Sequence, residues 1–291
     1  MRAAEEGLLL LCCRLGQEVQ PLSATEYNQL SALLQAAFPQ SPQENVQITE
    51  ALLSGLGLPP DYCKRILTLL DREEQLPRYL TAEFTVLTRI SEGFPQRLRR
   101  LGKHCPPVLF CKGDASLLND RCISLVGSRQ LSSGGKTFAR RIGALAAKEG
   151  ITLVSGGAVG ADSEAQESCL AAGGRVICFV PDELQRHPRR KNLLYCSDEG
   201  YEFAFSSVRA LRRNRYIHAL GEKVFVAQCP RCSGGTWAGT SENLREGYSS
   251  VYHRNDGSEG MRALQALGAV SVSDFLPSID KVQPFQLSIF D

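Results

Sequence analysis

Two apolar runs in this chain each end in a glycine-rich turn and lead into helix-like sequence. Ile123-Ser124-Leu125-Val126 runs into Gly127-Ser128-Arg129, and Ile151-Thr152-Leu153-Val154 runs into Ser155-Gly156-Gly157-Ala158-Val159-Gly160-Ala161-Asp162. A continuous apolar run of this length suits a strand covered on both faces, and a strand–turn–helix repeat implies parallel pairing through right-handed crossovers. The expected fold class is therefore α/β: a doubly wound, mostly parallel, Rossmann-like sheet. Such a sheet holds its ligand off the carboxyl ends of the strands, where both turns fall, and main-chain N–H groups at helix starts attract phosphate. The expected ligand is a nucleotide or a nucleic-acid backbone.

Further strands are expected at Pro106–Phe110, Arg175–Val180, Lys223–Ala227 and Ala269–Val272. Helices are expected at Phe138–Lys148, closed by Gly150, and at Ser163–Leu170, stopped by Gly173-Gly174. Residues 1–80 read as a small helical N-terminal domain, with apolar residues at helical spacing in Tyr27-Leu30-Leu33-Leu34 and Ile66-Leu67-Leu69-Leu70. Residues 81–275 read as the sheet domain with its lead-in segment, and residues 276–291 as a flexible tail broken by Pro277 and Pro284.

The net charge of +2 supplies no global attraction to DNA, so a nucleic-acid site must be a local cluster. One stands at 186–215, where Arg186, Arg189, Arg190, Lys191, Arg209, Arg212, Arg213 and Arg215 face only Asp198, Glu199 and Glu202. This asymmetry favours a phosphate-tracking groove over a solvated helix face. Of the interleaved Tyr195, Tyr201 and Phe203, at least two are expected in the core. The eleven cysteines are scattered, and Cys122, Cys178 and Cys229 sit in or beside apolar runs, so the expectation is a reduced, cytoplasmic protein. The apolar run Leu8–Leu11 is too short to span a membrane and follows Glu5 and Glu6, which do not suit a secretory signal. Cys229-Pro230-Arg231-Cys232 lacks a second ligand pair, so no metal and no other cofactor is expected.

The order Ile123–Arg129, Val154–Asp162, Arg213-Asn214-Arg215 and Ser233-Gly234-Gly235-Thr236 resembles the DNA-processing protein A (DprA/Smf) family, as does the approach through Phe94-Pro95, Leu98 and Pro107–Phe110. The resemblance covers roughly residues 90–275. It implies a homodimer that binds single-stranded DNA and hands it to a RecA-type recombinase in natural transformation, with no established catalytic activity. On that basis the phosphate-binding set comprises Gly127, Ser128, Arg129, Ser155, Gly156, Gly157, Gly160, Lys191, Arg212, Arg213, Arg215, Ser233, Gly234, Gly235 and Thr236. Asp162 is expected to cap the helix that follows it, and Trp237 to pack in the core. Gln286, Leu287, Ile289 and Phe290 resemble a sliding-clamp-binding peptide, the alternative being a tail packed on its own domain.

Two other readings stay open. Thr236, Thr240 and Glu242 resemble a stretched form of a motif in nucleotide-hydrolysing relatives, with Glu242 as acid/base in an enzyme or sensor. Val159 stands where the family commonly carries arginine, which suits an interaction module that has lost its ligand.

Overall fold

The computed structural model describes residues 3–16, 19–39 and 46–282. Helices α1 (Ala3–Cys12), α2 (Ala24–Ala37), α3 (Glu50–Gly55), α4 (Pro60–Leu70) and α5 (Leu76–Tyr79) come first. Their ends are written locally. Ser23 and Glu26 form a reciprocal capping box at α2, Thr49 accepts the Leu52 N–H at α3, and Pro60 opens α4 where its missing N–H costs nothing. Leu22, Leu30, Leu53, Cys63, Ile66 and Leu69 bury together as a small core of this helical part. The opposite side of α1 places Leu9 and Leu10 in the main core beneath the sheet, so the helical part and the sheet share one hydrophobic contact.

The sheet strands are β1 (Thr85–Thr88), β2 (Val108–Lys112), β3 (Cys122–Val126), β4 (Thr152–Ser155), β5 (Val176–Phe179), β6 (Leu193–Ser197), β7 (Lys223–Val226), β8 (Ser250–Arg254) and β9 (Val270–Val272). The remaining helices are α6 (Gln96–Arg99), α7 (Ser133–Lys148), α8 (Ala161–Ala171), α9 (Ser207–Leu220), α10 (Gly234–Glu246) and α11 (Glu259–Ala266). Among the described residues the strand order is β1-β2-β6-β5-β4-β3-β7-β8-β9. From β6 to β9 every pairing is parallel; β1 and β2 add an antiparallel edge. The mostly parallel α/β sheet read from the sequence is thus present.

Alternation along the strands feeds two cores. Ile123, Leu125, Leu153 and Phe225 meet Phe138, Ile142 and Ala165 of α7 and α8 on one face. Val126, Val154, Ile177 and Val224 meet Tyr216, Ile217 and Leu220 of α9 and Leu264 of α11 on the other. Helices α7 and α8 approach so closely that a side-chain carbon on Gly143 would lie 2.1 Å from the Ala165 carbonyl oxygen. The chain steps outward from β3 to β6, then α9 carries it back to start β7 on the far side of β3. That reversal opens a crevice beyond the carboxyl ends of β3 and β7.

Residues 276–282 differ from the expected tail. Leu276, Ile279 and Val282 are buried in the core, the Arg141 Nε–H donates to the Leu276 carbonyl, and Glu149 accepts the Ile279 N–H. The sequence pattern does not mark strands β1, β6 and β8: β6 mixes Tyr195, Cys196 and Ser197, and part of its burial comes from β2, far back in the chain. Of the three aromatics, Tyr195 is buried and Tyr201 stacks on Phe84 with ring centroids 4.6 Å apart, leaving Phe203 at the margin.

Candidate nucleic-acid interface

The turn after β3 and the loop after β7 are tied by a bond from the Ser128 N–H to the Gln228 carbonyl, 2.9 Å. Ser128 in turn accepts the Ala161 N–H at 3.2 Å, which anchors the start of α8. Gly160 lies directly beneath this turn: its φ is +99°, and a side-chain carbon there would be 2.5 Å from the Ser128 and Arg129 carbonyl oxygens. Only glycine serves at that position.

These connections shape a cleft of about 750 Å³. Gly127, Ser128 and Arg129 form one wall, Ser233, Gly234, Gly235 and Thr236 the opposite wall, and α9 contributes Arg213, Asn214 and His218. The Asn214 amide donates to the Gly235 carbonyl at 3.1 Å and so clamps α9 to the start of α10. Ser233 makes no side-chain cap there, so the first turn of α10 presents its N–H groups to the cleft without a side-chain acceptor. Arg129 is exposed and makes no hydrogen bond or ion pair with the described residues.

Arg213 is placed differently. Its side chain is only 11% exposed and lies across Gly156, where a side-chain carbon would sit 1.3 Å from Nη1. Its Nε is buried without a hydrogen-bond partner, and Nη1 stands 4.0 Å from the Asp162 carboxylate. A buried donor without an acceptor is costly, and the part of the side chain that stays accessible borders the cleft, where a phosphate oxygen would accept from the guanidinium.

The second glycine loop does not offer the anion nest its sequence suggests. Asp162 is the second residue of α8 rather than its cap, and its Oδ2 accepts the N–H groups of Gly156 and Ala158, each at 3.2 Å. The loop amides are therefore filled by the chain's own carboxylate. Burial pushes the Asp162 carboxyl upward, and Arg213 and the two amides pull it back. Ser155 is buried with its hydroxyl accepting from Gln166, and Gly160 N–H donates to Ser163. Gly157 is exposed beside Cys178 and does not line the cleft.

The basic cluster also divides. Lys191 lies with Arg175, Arg189 and Arg190 around a separate hollow at the amino ends of β5 and β6, the opposite end of the sheet. Arg212 turns to Asp198 and Glu199, at 2.5 and 2.6 Å, and Arg215 to Glu242, at 2.5 Å, on the other side of α9. The same pair holds Glu242 outside the cleft, with the Tyr248 hydroxyl donating to it at 3.3 Å. Trp237 packs partly buried against the core.

The sequence reading missed Phe205, Leu211 and His218 as cleft residues. His218 has a signal only in hindsight: a histidine amid apolar Ile217, Ala219 and Leu220 at the end of a helix. Its Nδ1 lies 3.2 Å from the Asn243 amide nitrogen, and Asn243 is itself oriented by Ser249 through bonds of 3.0 and 3.1 Å. Nδ1 is thus the acceptor, which leaves the proton on Nε2. Burial, reinforced by Arg213, lowers the imidazole to about 3.

Residues 85–275 match the family model described as DNA recombination-mediator protein A. The chain belongs to that family. Protein Smf of Escherichia coli (strain K12) is 31% identical over 198 residues, 63% of this chain and 53% of that protein. DNA processing protein DprA of Bacillus subtilis (strain 168) is 31% identical over 176 residues, 55% and 59% of the two chains. The match spans about half the length of these relatives. Among solved structures, DprA from Streptococcus pneumoniae superposes with a TM-score of 0.73 at 21% identity, covering 94% of this chain and 95% of that one. DNA processing protein A from Helicobacter pylori, described with a single-stranded DNA binding mode, superposes with a TM-score of 0.54 at 23% identity, covering 66% and 91%. The matched segment contains every residue that lines the cleft, from Val126 to Ala238. Among the described residues no helix is long and apolar enough to cross a membrane.

Proposed function

We propose that this member of the DNA recombination-mediator protein A family binds single-stranded DNA in the cleft beyond the carboxyl ends of β3 and β7. The observation that carries the reading is Arg213: held against a glycine, with its accessible edge lining the same cleft as the unpaired Arg129. With the open first turn of α10, these groups make adjacent anion positions, which is what a sugar–phosphate chain requires. The named binding of single-stranded DNA by the Helicobacter pylori protein supports the ligand class. From the resemblance comes the further proposal that the protein acts in the cytoplasm as a homodimer and delivers the strand to a RecA-type recombinase during transformation. A domain limit at 80 is proposed with it, the sheet domain running on through the docked residues to 282. The clamp-binding proposal rests on Gln286, Leu287, Ile289 and Phe290, which lie outside the described residues.

Fluorescence anisotropy with a labelled oligothymidylate tests the cleft. Arg129→Ala removes one phosphate contact and is expected to lower the slope of log K against log salt by about 0.7. Wild-type protein that binds no oligothymidylate, or an Arg129→Ala slope equal to wild type, would refute the assignment.

A further inference from the structure

Helix α9 separates the glycine cleft from a second groove. On the far side, between the helical N-terminal part and the sheet, lies a hollow of about 530 Å³ whose rim includes Arg14, Lys103, His104 and Arg215. Lys103 and His104 also border a third hollow of about 350 Å³, which adds Arg97 and Arg100. The two hollows thus share a wall and form one continuous track. Its anionic residues are mostly occupied: Asp198 and Glu199 by Arg212, Glu246 by Arg245. Of its cations, Arg212 and Arg215 are ion-paired to Asp198, Glu199 and Glu242, but among the described residues the others are not. Arg14, Arg100 and Lys103 are exposed and form no ion pair with the described residues, and Arg97 donates only to the Ala219 and Gly221 carbonyls. The crest between the cleft and this track is apolar, with Phe205, Val208 and Leu211 exposed by 55, 70 and 51%. Exposed apolar side chains between two cationic depressions suit a polymer with charged links and flat apolar faces.

We propose that single-stranded DNA leaves the glycine cleft over the Phe205–Val208–Leu211 crest at the start of α9 and continues along the Arg14–Lys103–Arg100–Arg97 groove. The inference rests on the cleft reading above and extends it: a short strand fills the cleft alone, and a longer one engages both. The crest supplies contact with the bases and the groove holds phosphates, without base-specific contacts. A binding site made of exposed cations gives affinity that grows with strand length and is screened by salt.

The test compares oligothymidylates of about 6 and about 24 nucleotides on wild type and on an Arg100→Ala/Lys103→Ala variant, near 0.15 M salt, where screening over about 8 Å isolates the cleft from the distant charges. Both side chains are exposed, and a thermal melt checks that the variant is folded. The expected result is a short-oligonucleotide affinity within about twofold of wild type, a loss of about tenfold for the long one, and a long-strand salt slope smaller by about 1.4, two contacts' worth. A variant that binds the long strand as wild type does, or weakens both lengths equally, overturns the groove while leaving the cleft. A wild-type protein that binds neither length overturns the cleft reading and the extension together.

Discussion

Acid should destabilise this protein through one buried imidazole. His218 is 1% exposed, and its Nδ1 faces an amide that can only donate, because rotating Asn243 would break its bond from the Ser249 N–H. Protonation would therefore place a charge, and a donor facing a donor, in the wall of the cleft beside Arg213. The folded imidazole lies at about 3, whereas an unfolded one lies near 6.5. The native state then binds fewer protons between those limits, so stability is full above about pH 6.5 and falls as pH drops toward 3. From pH 7 to pH 5 the loss is about 2 kcal/mol, about 1.4 kcal/mol for each pH unit below 6.5. Urea unfolding of wild type and His218→Gln at both pH values isolates it, since the carboxylates and the other histidines are common to both proteins and cancel in the difference. Wild type is expected to lose about 2 kcal/mol more than the variant. Equal losses, or a His218 resonance that titrates near 6.5 by NMR, would refute the argument. Because His218 stays neutral at physiological pH, it adds no charge to the cleft, and the salt dependence of binding rests on the arginines.

Two further expectations concern packing and chemistry. Gly143→Ala pushes a carbon into the Ala165 carbonyl at the α7–α8 contact and should cost about 1–3 kcal/mol, read as a lower melting temperature, whereas Gly150→Ala meets no neighbour and should cost less, chiefly through its φ of +69°. Burial raises the Cys122, Cys169, Cys178 and Cys229 thiols to about 12, and Cys232 alone among the cysteines is exposed, so native-state alkylation should show one fast thiol that Cys232→Ser removes.

Much of the architecture was legible because a doubly covered parallel strand must be apolar on both sides. Cys122–Val126 shows that directly, and it forms the central strand where the order reverses. The glycine turn at 127–129 was legible for the same local reason: backbone can approach backbone only where side chains are missing. Strand β6 was not, because Tyr195, Cys196 and Ser197 owe their burial partly to β2, which comes from a distant part of the chain. Asp162 was misread as a cap because the sequence shows which residue precedes a helix-like run but not which amides its carboxylate will reach. Arg212, Arg213 and Arg215 stand within four positions of one another, yet the pitch of α9 sends Arg213 into the cleft and its neighbours to Asp198, Glu199 and Glu242 on the other side. Local composition thus determined the strands, the turns and the presence of excess positive charge. Which charges meet a ligand was decided only by tertiary structure, because neutralisation depends on through-space distance to carboxylates that the chain brings in from elsewhere.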